Sequence, residues 1–210
     1  MTKTCSWKLN NDDCFVSLEA EFLDKEALIA GDAFVPDSRM TASSAHCQYH
    51  GPERARIDFR KTGNYDTWCP SNNDPSEWIQ VEFDDLMTVQ TVTTTGSLTF
   101  TDWIPSYEIH TSLDGVTWTT YMEPFGTTKV NFCDVVLRGN DDPDTPVENV
   151  LNTPIRAKYL RLANMTWQKR IAVCLELQGS HYSGMAILCN ALELIRLFNR
   201  MFGKRSHQRL

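Results

Sequence analysis

The chain has 210 residues, 41% hydrophobic and 22% charged, with six Trp and ten Phe and a formal net charge of −7. This composition supports a folded domain with a sizeable core and excludes a disordered or low-complexity polymer. The acidic balance argues against generic attraction to nucleic acid or anionic lipid, and no run of about 18 apolar residues is present to span a bilayer.

Residues 1–27 show no clear period and no apolar stretch of signal-peptide type, so they read as an N-terminal extension. Either the protein is made in the cytosol or its true N-terminus lies outside this chain. A β domain is expected over 28–180. Within it, His46-Cys47-Gln48-Tyr49-His50 flanks a thiol with two imidazoles, but no further ligand stands at zinc spacing. Next comes Trp68-Cys69-Pro70. As a nucleophile, Cys69 needs a nearby base and a depressed pKa. As a metal ligand it lacks partners. The other readings are a disulfide staple and a buried thiol. All seven cysteines (Cys5, Cys14, Cys47, Cys69, Cys133, Cys174 and Cys189) cannot pair within one chain, because seven is odd.

Alternation dominates the middle. Ile79, Val81 and Phe83 share one face of WIQVEF, and residues 88–95 are rich in β-branched side chains. Asp114-Gly115 sits between two alternating runs, 106–113 and 116–122, and predicts a hairpin. Residues 157–163 alternate again. Over 171–177, Ile171, Val173, Leu175 and Leu177 face one way, and Ala172, Cys174 and Glu176 the other. Polar turns separate these runs. The turn at 138–144 is oxygen-rich, so Asn140, Asp141 and Asp144 are calcium candidates beside the reading of a solvated turn. Asn164-Met165-Thr166 is a glycosylation sequon at Asn164. Short strands with turn-rich joins predict an all-β antiparallel sandwich or barrel.

The C-terminus differs. Residues 185–202 have helical spacing, with Leu188, Leu192, Ile195 and Phe202 on one stripe. Residues 181–210 carry Arg196, Arg200, Lys204, Arg205 and Arg209 against Glu193, a basic helical tail on an acidic body.

Several stretches in order resemble one family. VPDSRMTASS (35–44), Ala55-Arg56-Ile57, TWCP with WIQVEF, Thr95-Gly96, WIPSYEIHTSLDGVTWTTY (103–121), residues 138–162 and TWQKRIAVCLELQG (166–179) are similar to the discoidin domain, also called the coagulation factor V/VIII type C domain. The resemblance spans about 28–179. It implies an eight-stranded, jelly-roll-like, galactose-binding-like β-sandwich without catalytic machinery. Loops at one end of that sandwich, called spikes, hold the ligand.

The spikes fall at 45–53, 62–76 and 97–104, and the contact residues expected there are Tyr49, His50, Asn64, Tyr65, Phe100 and Asp102. Trp78, Trp103, Trp118 and Trp167 take structural positions. The implied role is extracellular or cell-surface adhesion or matrix recognition, with a glycan or a surface protein as partner. Alternatives are a lectin exported without a signal peptide and a phospholipid-binding module. The third spike shows no neighbouring Lys or Arg in sequence, which argues against anionic lipid. No cofactor is expected, calcium at 140–144 being the exception weighed.

Two departures from the family stand out. A cysteine pair that brackets many members is replaced by Lys25 and Ser180. The usual Thr-Gln-Gly-Arg is Thr94-Thr95-Gly96-Ser97, which removes a cation near the spikes. Some members, among them collagen-receptor kinases and carboxypeptidase-like matrix proteins, bridge a Trp-Cys cysteine to the last strand. That resemblance implies a Cys69–Cys174 disulfide, although Cys174 stands two residues beyond the family position. Such a bridge stabilises by roughly 4–5 kcal/mol in the chain-entropy model.

Overall fold

The computed structural model describes residues 25–30, 35–58, 66–125 and 131–181. The expected extension before residue 25, the helical tail, and Asn64 and Tyr65 lie outside the described residues.

The strands are β1 (Glu26–Ala27), β2 (Met40–Ala42), β3 (Ile79–Thr95), β4 (Ser106–Ser112), β5 (Thr119–Thr120), β6 (Met122–Phe125), β7 (Asn131–Asp134), β8 (Val136–Arg138), β9 (Val147–Ala163) and β10 (Cys174–His181). All pairings between these strands are antiparallel. The main order is β1-β10-β3-β9-β4-β5, with β2 on β3 and β8 on β4; β6 and β7 form a separate ribbon. Among the described residues the only helical turns are two short 3-10 segments, Asp37–Arg39 and Pro52–Ala55. None of the helices described is long and apolar enough to cross a membrane.

β3 and β9 each have 17 residues. Straight strands of that length would run about 55 Å. Instead their pairing breaks twice, between Glu82 and Met87 and between Val89 and Thr91. Asp84 and Asp85 are exposed at the first break. The two halves have different neighbours. Ile79–Val81 pairs with β2 and with the end of β9, which continues to β4. Met87–Thr95 pairs with β10 and mostly with the start of β9. The sheet thus folds on itself into two layers that share β3 and β9. Ile79, Val81, Val92, Ile109, Leu160, Leu162 and Leu175 fill the space between, each at most 1% exposed. This is the expected β-sandwich.

One consequence places the site. Both ends of β3, the start of β4, the end of β9 and the start of β10 reach the same pole. The opposite pole carries the Asp84–Asp85 corner, the 113–118 loop and the outer ends of β1 and β10.

Three elements differ from the sequence reading. β9 begins at Val147, ten residues before the alternating run, because Thr91–Thr94 needs a partner on that side. β10 is buried on both faces from 174 to 177. Its second face lies under the N-terminal segment, where Glu176 accepts the backbone N–H of Ile29 at 2.9 Å and of Ala30 at 3.2 Å. Burial pushes the Glu176 carboxyl up, against the N–H groups that lower it. The 113–118 hairpin loop is wider than a two-residue turn. Asp114 organises it by accepting the N–H of Val116 at 2.8 Å and of Thr117 at 2.7 Å.

That loop also carries Trp118 onto the outer face of β9. The Arg161 guanidinium stacks between Trp118 at 3.6 Å and Trp78 at 3.9 Å, and its Nε donates to Gln80 at 2.9 Å. These two tryptophans hold the loop to the sheet.

Candidate functional site

The pole at which both ends of β3 arrive is built from loops 43–55, 66–78, 96–105, 139–146 and 164–173. Buried acids anchor three of them. Asp66 accepts Ser97 Oγ and the Leu98 N–H, both at 2.8 Å, and so fixes the start of the 96–105 loop. Glu77 takes both hydroxyls of Ser43 and Ser44, tying the first loop to the second. Asp102 is 2% exposed and pairs with Arg170, whose Nε lies 3.0 Å away. Gly96 permits the close approach beneath: a Cβ there would sit 2.5 Å from the Asp102 carbonyl oxygen.

Two loops meet through residues of left-handed backbone. Thr101 has φ 55° and Lys169 φ 61°, and the Lys169 amine donates to Thr101 Oγ1 at 2.7 Å. Asn73 braces the same loop from the other side, donating to the Lys169 carbonyl and accepting the Ile171 N–H, each at 2.9 Å.

Between these struts lies an open cleft of about 100 Å³, lined by His46, Cys69, Ser71, Asn72, Asn73 and Arg170 among others. An aromatic row leads away from its lining residue His46. His50 stands 6.1 Å from His46 and 5.7 Å from Phe100 between ring centroids, and Arg170 lies 5.1 Å from the Phe100 ring.

The expected contact residues divide. Tyr49 is 46% exposed on the first loop, and Phe100 is half-buried beside Arg170. His50 and Asp102 are 3% and 2% exposed, so both point inward and position their neighbours instead of meeting a ligand. His50 Nδ1 lies 3.1 Å from the Thr67 carbonyl, and Asp102 holds Arg170. At 138–146, the fully buried Asn140 carboxamide accepts from Thr94 Oγ1 at 3.0 Å and donates to the Thr94 and Thr145 carbonyls at 2.9 Å. Asp141 pairs with Arg138, and the Asp144 N–H donates to Asp142. Among the described residues no group of three or more His, Cys, Asp or Glu is placed to hold a metal ion. Asn164 is exposed, in left-handed backbone, and donates to Glu108 at 2.7 Å.

The expected Cys69–Cys174 bridge is not formed. Trp68 pairs with Val173, which sets Ala172 opposite Cys69 and Cys174 opposite Thr67. The two cysteines are diagonal neighbours, about 7–8 Å apart, beyond normal disulfide reach. Cys174 Sγ instead donates to the Asp66 carbonyl at 2.8 Å. Burial pushes the Cys69 thiol up to about 11, which disfavours the thiolate that a nucleophile needs.

Comparison with known proteins agrees with the two-layer sandwich. The family model of the F5/8 type C domain matches residues 39–177. The chain belongs to the F5/8 type C domain family.

It is 35% identical over 150 residues to human coagulation factor VIII, covering 69% of this chain and 6% of that protein. With rat lactadherin it is 33% identical over 153 residues, covering 69% of this chain and 34% of lactadherin. The chain thus spans about a third or less of the length of these relatives. Among solved structures, discoidin II of Dictyostelium discoideum aligns with a TM-score of 0.61 at 20% identity, over 76% of this chain and 60% of that one.

Both departures from the F5/8 type C pattern acquire a physical account. Glu26 pairs with Gly179, so Lys25 stands opposite Ser180, where a bracketing bridge would form. Ser97, in place of the family's arginine, is fully buried and serves as the Asp66 anchor. A cation still reaches the spikes, but from another loop: Lys169 and Arg170 stand beside Thr101, Asp102 and Phe100. This corrects the expectation of a third spike without basic neighbours. Sequence reasoning missed the pair because 166–179 reads as a closing strand. The signal available was Gln168-Lys169-Arg170, three polar residues interrupting that strand's alternation.

Proposed function

We propose that this chain is a non-catalytic recognition module that acts outside the cell and binds a carbohydrate of a cell surface or matrix at its spike pole. The cleft carries the reading. His46, Asn72 and Arg170 line it, their side chains, save Arg170 Nε, without a hydrogen-bond partner among the described residues, and a half-buried Phe100 ring lies against Arg170. A sugar offers hydroxyls to such groups and an apolar face to such a ring. Rigid struts on Asp66, Asn73 and Asp102 hold the groups in place before binding, which lowers the entropic cost.

The test is a glycan array probed with the full chain and with Asn72→Ala. The reading expects saccharide binding that the variant weakens at least about tenfold, the size of one or two lost hydrogen bonds. An array without a hit contradicts it.

A second reading has its own support. Leu98 and Tyr49 are each 46% exposed at loop tips, near Lys169 and Arg170. Apolar tips beside cations suit an anionic bilayer. Phosphatidylserine vesicles that bind the chain, and release it on Leu98→Ser, would favour this reading.

A further inference from the structure

We infer that the saccharide is an acidic one, carrying a carboxylate or a sulfate that the Arg170 guanidinium receives; this rests on the carbohydrate reading of the same cleft.

The argument begins with charge. The chain is net −7, yet no Asp or Glu lines the cleft. The acids near it are held by hydrogen bonds, and Asp102 by Arg170 itself. Asp66 holds Ser97 and Leu98, Glu77 holds Ser43 and Ser44, and Asp74 accepts the N–H and hydroxyl of Ser76. Two cations remain at the rim, Lys169 and Arg170. The 96–105 and 164–173 loops together carry Lys169 and Arg170 against Asp102, one excess positive charge on an acidic body, which favours an anion.

The arrangement of Arg170 makes the point specific. Its side chain is 45% exposed. Among the described residues only Nε is bonded, to the buried Asp102 at 3.0 Å, and Phe100 lies 5.1 Å from the guanidinium carbon. Asp102 and Phe100 thus fix the plane of the guanidinium and leave the edge formed by its two terminal amino groups without an acceptor among the described residues. That edge presents parallel N–H donors, the geometry that receives a carboxylate or sulfate in two hydrogen bonds. A neutral sugar needs no such fork. Asn72, Ser71 and His46 are placed to take the hydroxyls around the acidic group. Lys169, held by Thr101, adds a second positive charge without competing for the fork.

The experiment measures affinity by calorimetry for lactose, 3′-sialyllactose and 3′-sulfolactose, with phosphatidylserine vesicles as a separate arm, on wild-type chain, Arg170→Gln and Arg170→Lys. The expected result is an acidic sugar bound at least about tenfold more tightly than lactose, with the advantage shrinking as salt is raised. Arg170→Gln brings the acidic sugar down to lactose. Arg170→Lys keeps a positive charge beside Asp102, so the fold is retained, and it loses most of the preference because the fork is gone.

Equal binding of all three sugars overturns this inference and leaves the carbohydrate reading standing. Binding of none, with a folded protein, removes that reading itself. Vesicle binding that depends on Arg170, without sugar binding, assigns the fork to a lipid headgroup and overturns the inference. An acidic preference that survives in Arg170→Lys also overturns it.

Discussion

Two polar loops, each bonded to the 96–105 loop at one pole of the sandwich, have opposite characters. In the 138–146 loop the side chains bond to their own surroundings: Asn140 reaches Thr94 and Thr145, Asp141 reaches Arg138, and Asp142 accepts the N–H groups of Asp144 and Thr145. The 168–173 loop, with 71–73 beside it, is braced by its neighbours. Asn73, Thr101 and Asp102 hold it, while the side chain of Asn72 and the Arg170 fork have no partner among the described residues. A loop that satisfies itself is a piece of scaffold; one that leaves fixed donors at a cleft is built for a ligand. Composition separates the two only in charge: 138–146 holds Asn140, three Asp and Arg138, whereas 168–173 with 71–73 holds Asn72, Asn73, Lys169 and Arg170 and no acid.

Changes far from both loops sharpen the contrast first. Lys25→Cys with Ser180→Cys should form a disulfide, because opposed antiparallel residues lie within bridging distance. The gain in unfolding free energy expected in urea is on the order of 3–5 kcal/mol. Sugar affinity should not change; a change would mean that the cleft is not local to the spike pole.

Asn140→Ala breaks the self-satisfied loop. It strands a buried hydroxyl and two carbonyls, so a loss of about 2–4 kcal/mol is expected by denaturation. Added calcium should not alter the stability of the wild type; a rise would make the 138–146 loop a cation site.

Thiol labelling compares rim with floor. Cys47 is exposed, and Cys69 is buried with its pKa raised to about 11. Peptide mapping after maleimide treatment at pH 7.5 should find Cys47 modified at least about 100-fold faster than Cys69. Equal rates would show that the cleft floor opens.

The smallest effect concerns the 113–118 loop, which satisfies itself like the 138–146 loop. The N–H groups of Thr117 and Val116 and the Ser112 hydroxyl hold the Asp114 carboxyl well below the usual carboxylate range. A depressed folded-state pKa adds stability that is present above the ordinary aspartate value, about 3.9, and is lost as pH falls below it. Asp114→Asn should therefore cost more at pH 7 than at pH 3, read from thermal unfolding at both.

The strands were largely legible because alternation reports faces: Ile79, Val81, Leu160 and Leu162 lie in the core as their spacing requires. The double burial of β10 was not legible, since its second cover comes from residues 28–30, about 150 positions away. Cys174 misled for a related reason. Its face could be read, but its register against residue 68 is set by the loop's path. At the site, Tyr49 and Phe100 were found as aromatic residues in predicted spikes. His50 and Asp102 looked alike in sequence to ligand contacts, and only the Thr67 carbonyl and Arg170 turn them inward. Arg170 itself needed the third dimension, because its partners Phe100 and Asp102 lie about 70 residues earlier.

The central claim is that the 168–173 loop, not its neighbour, receives the ligand. The most direct measurement is an amide NMR titration of the labelled chain with 3′-sialyllactose. The account predicts shifts confined to His46–His50, Cys69–Asn73, Phe100–Asp102 and Gln168–Ile171, with Asn140–Thr145 unmoved. Shifts centred on Asn140–Thr145, or on the outer face around Trp78 and Trp118, would contradict it.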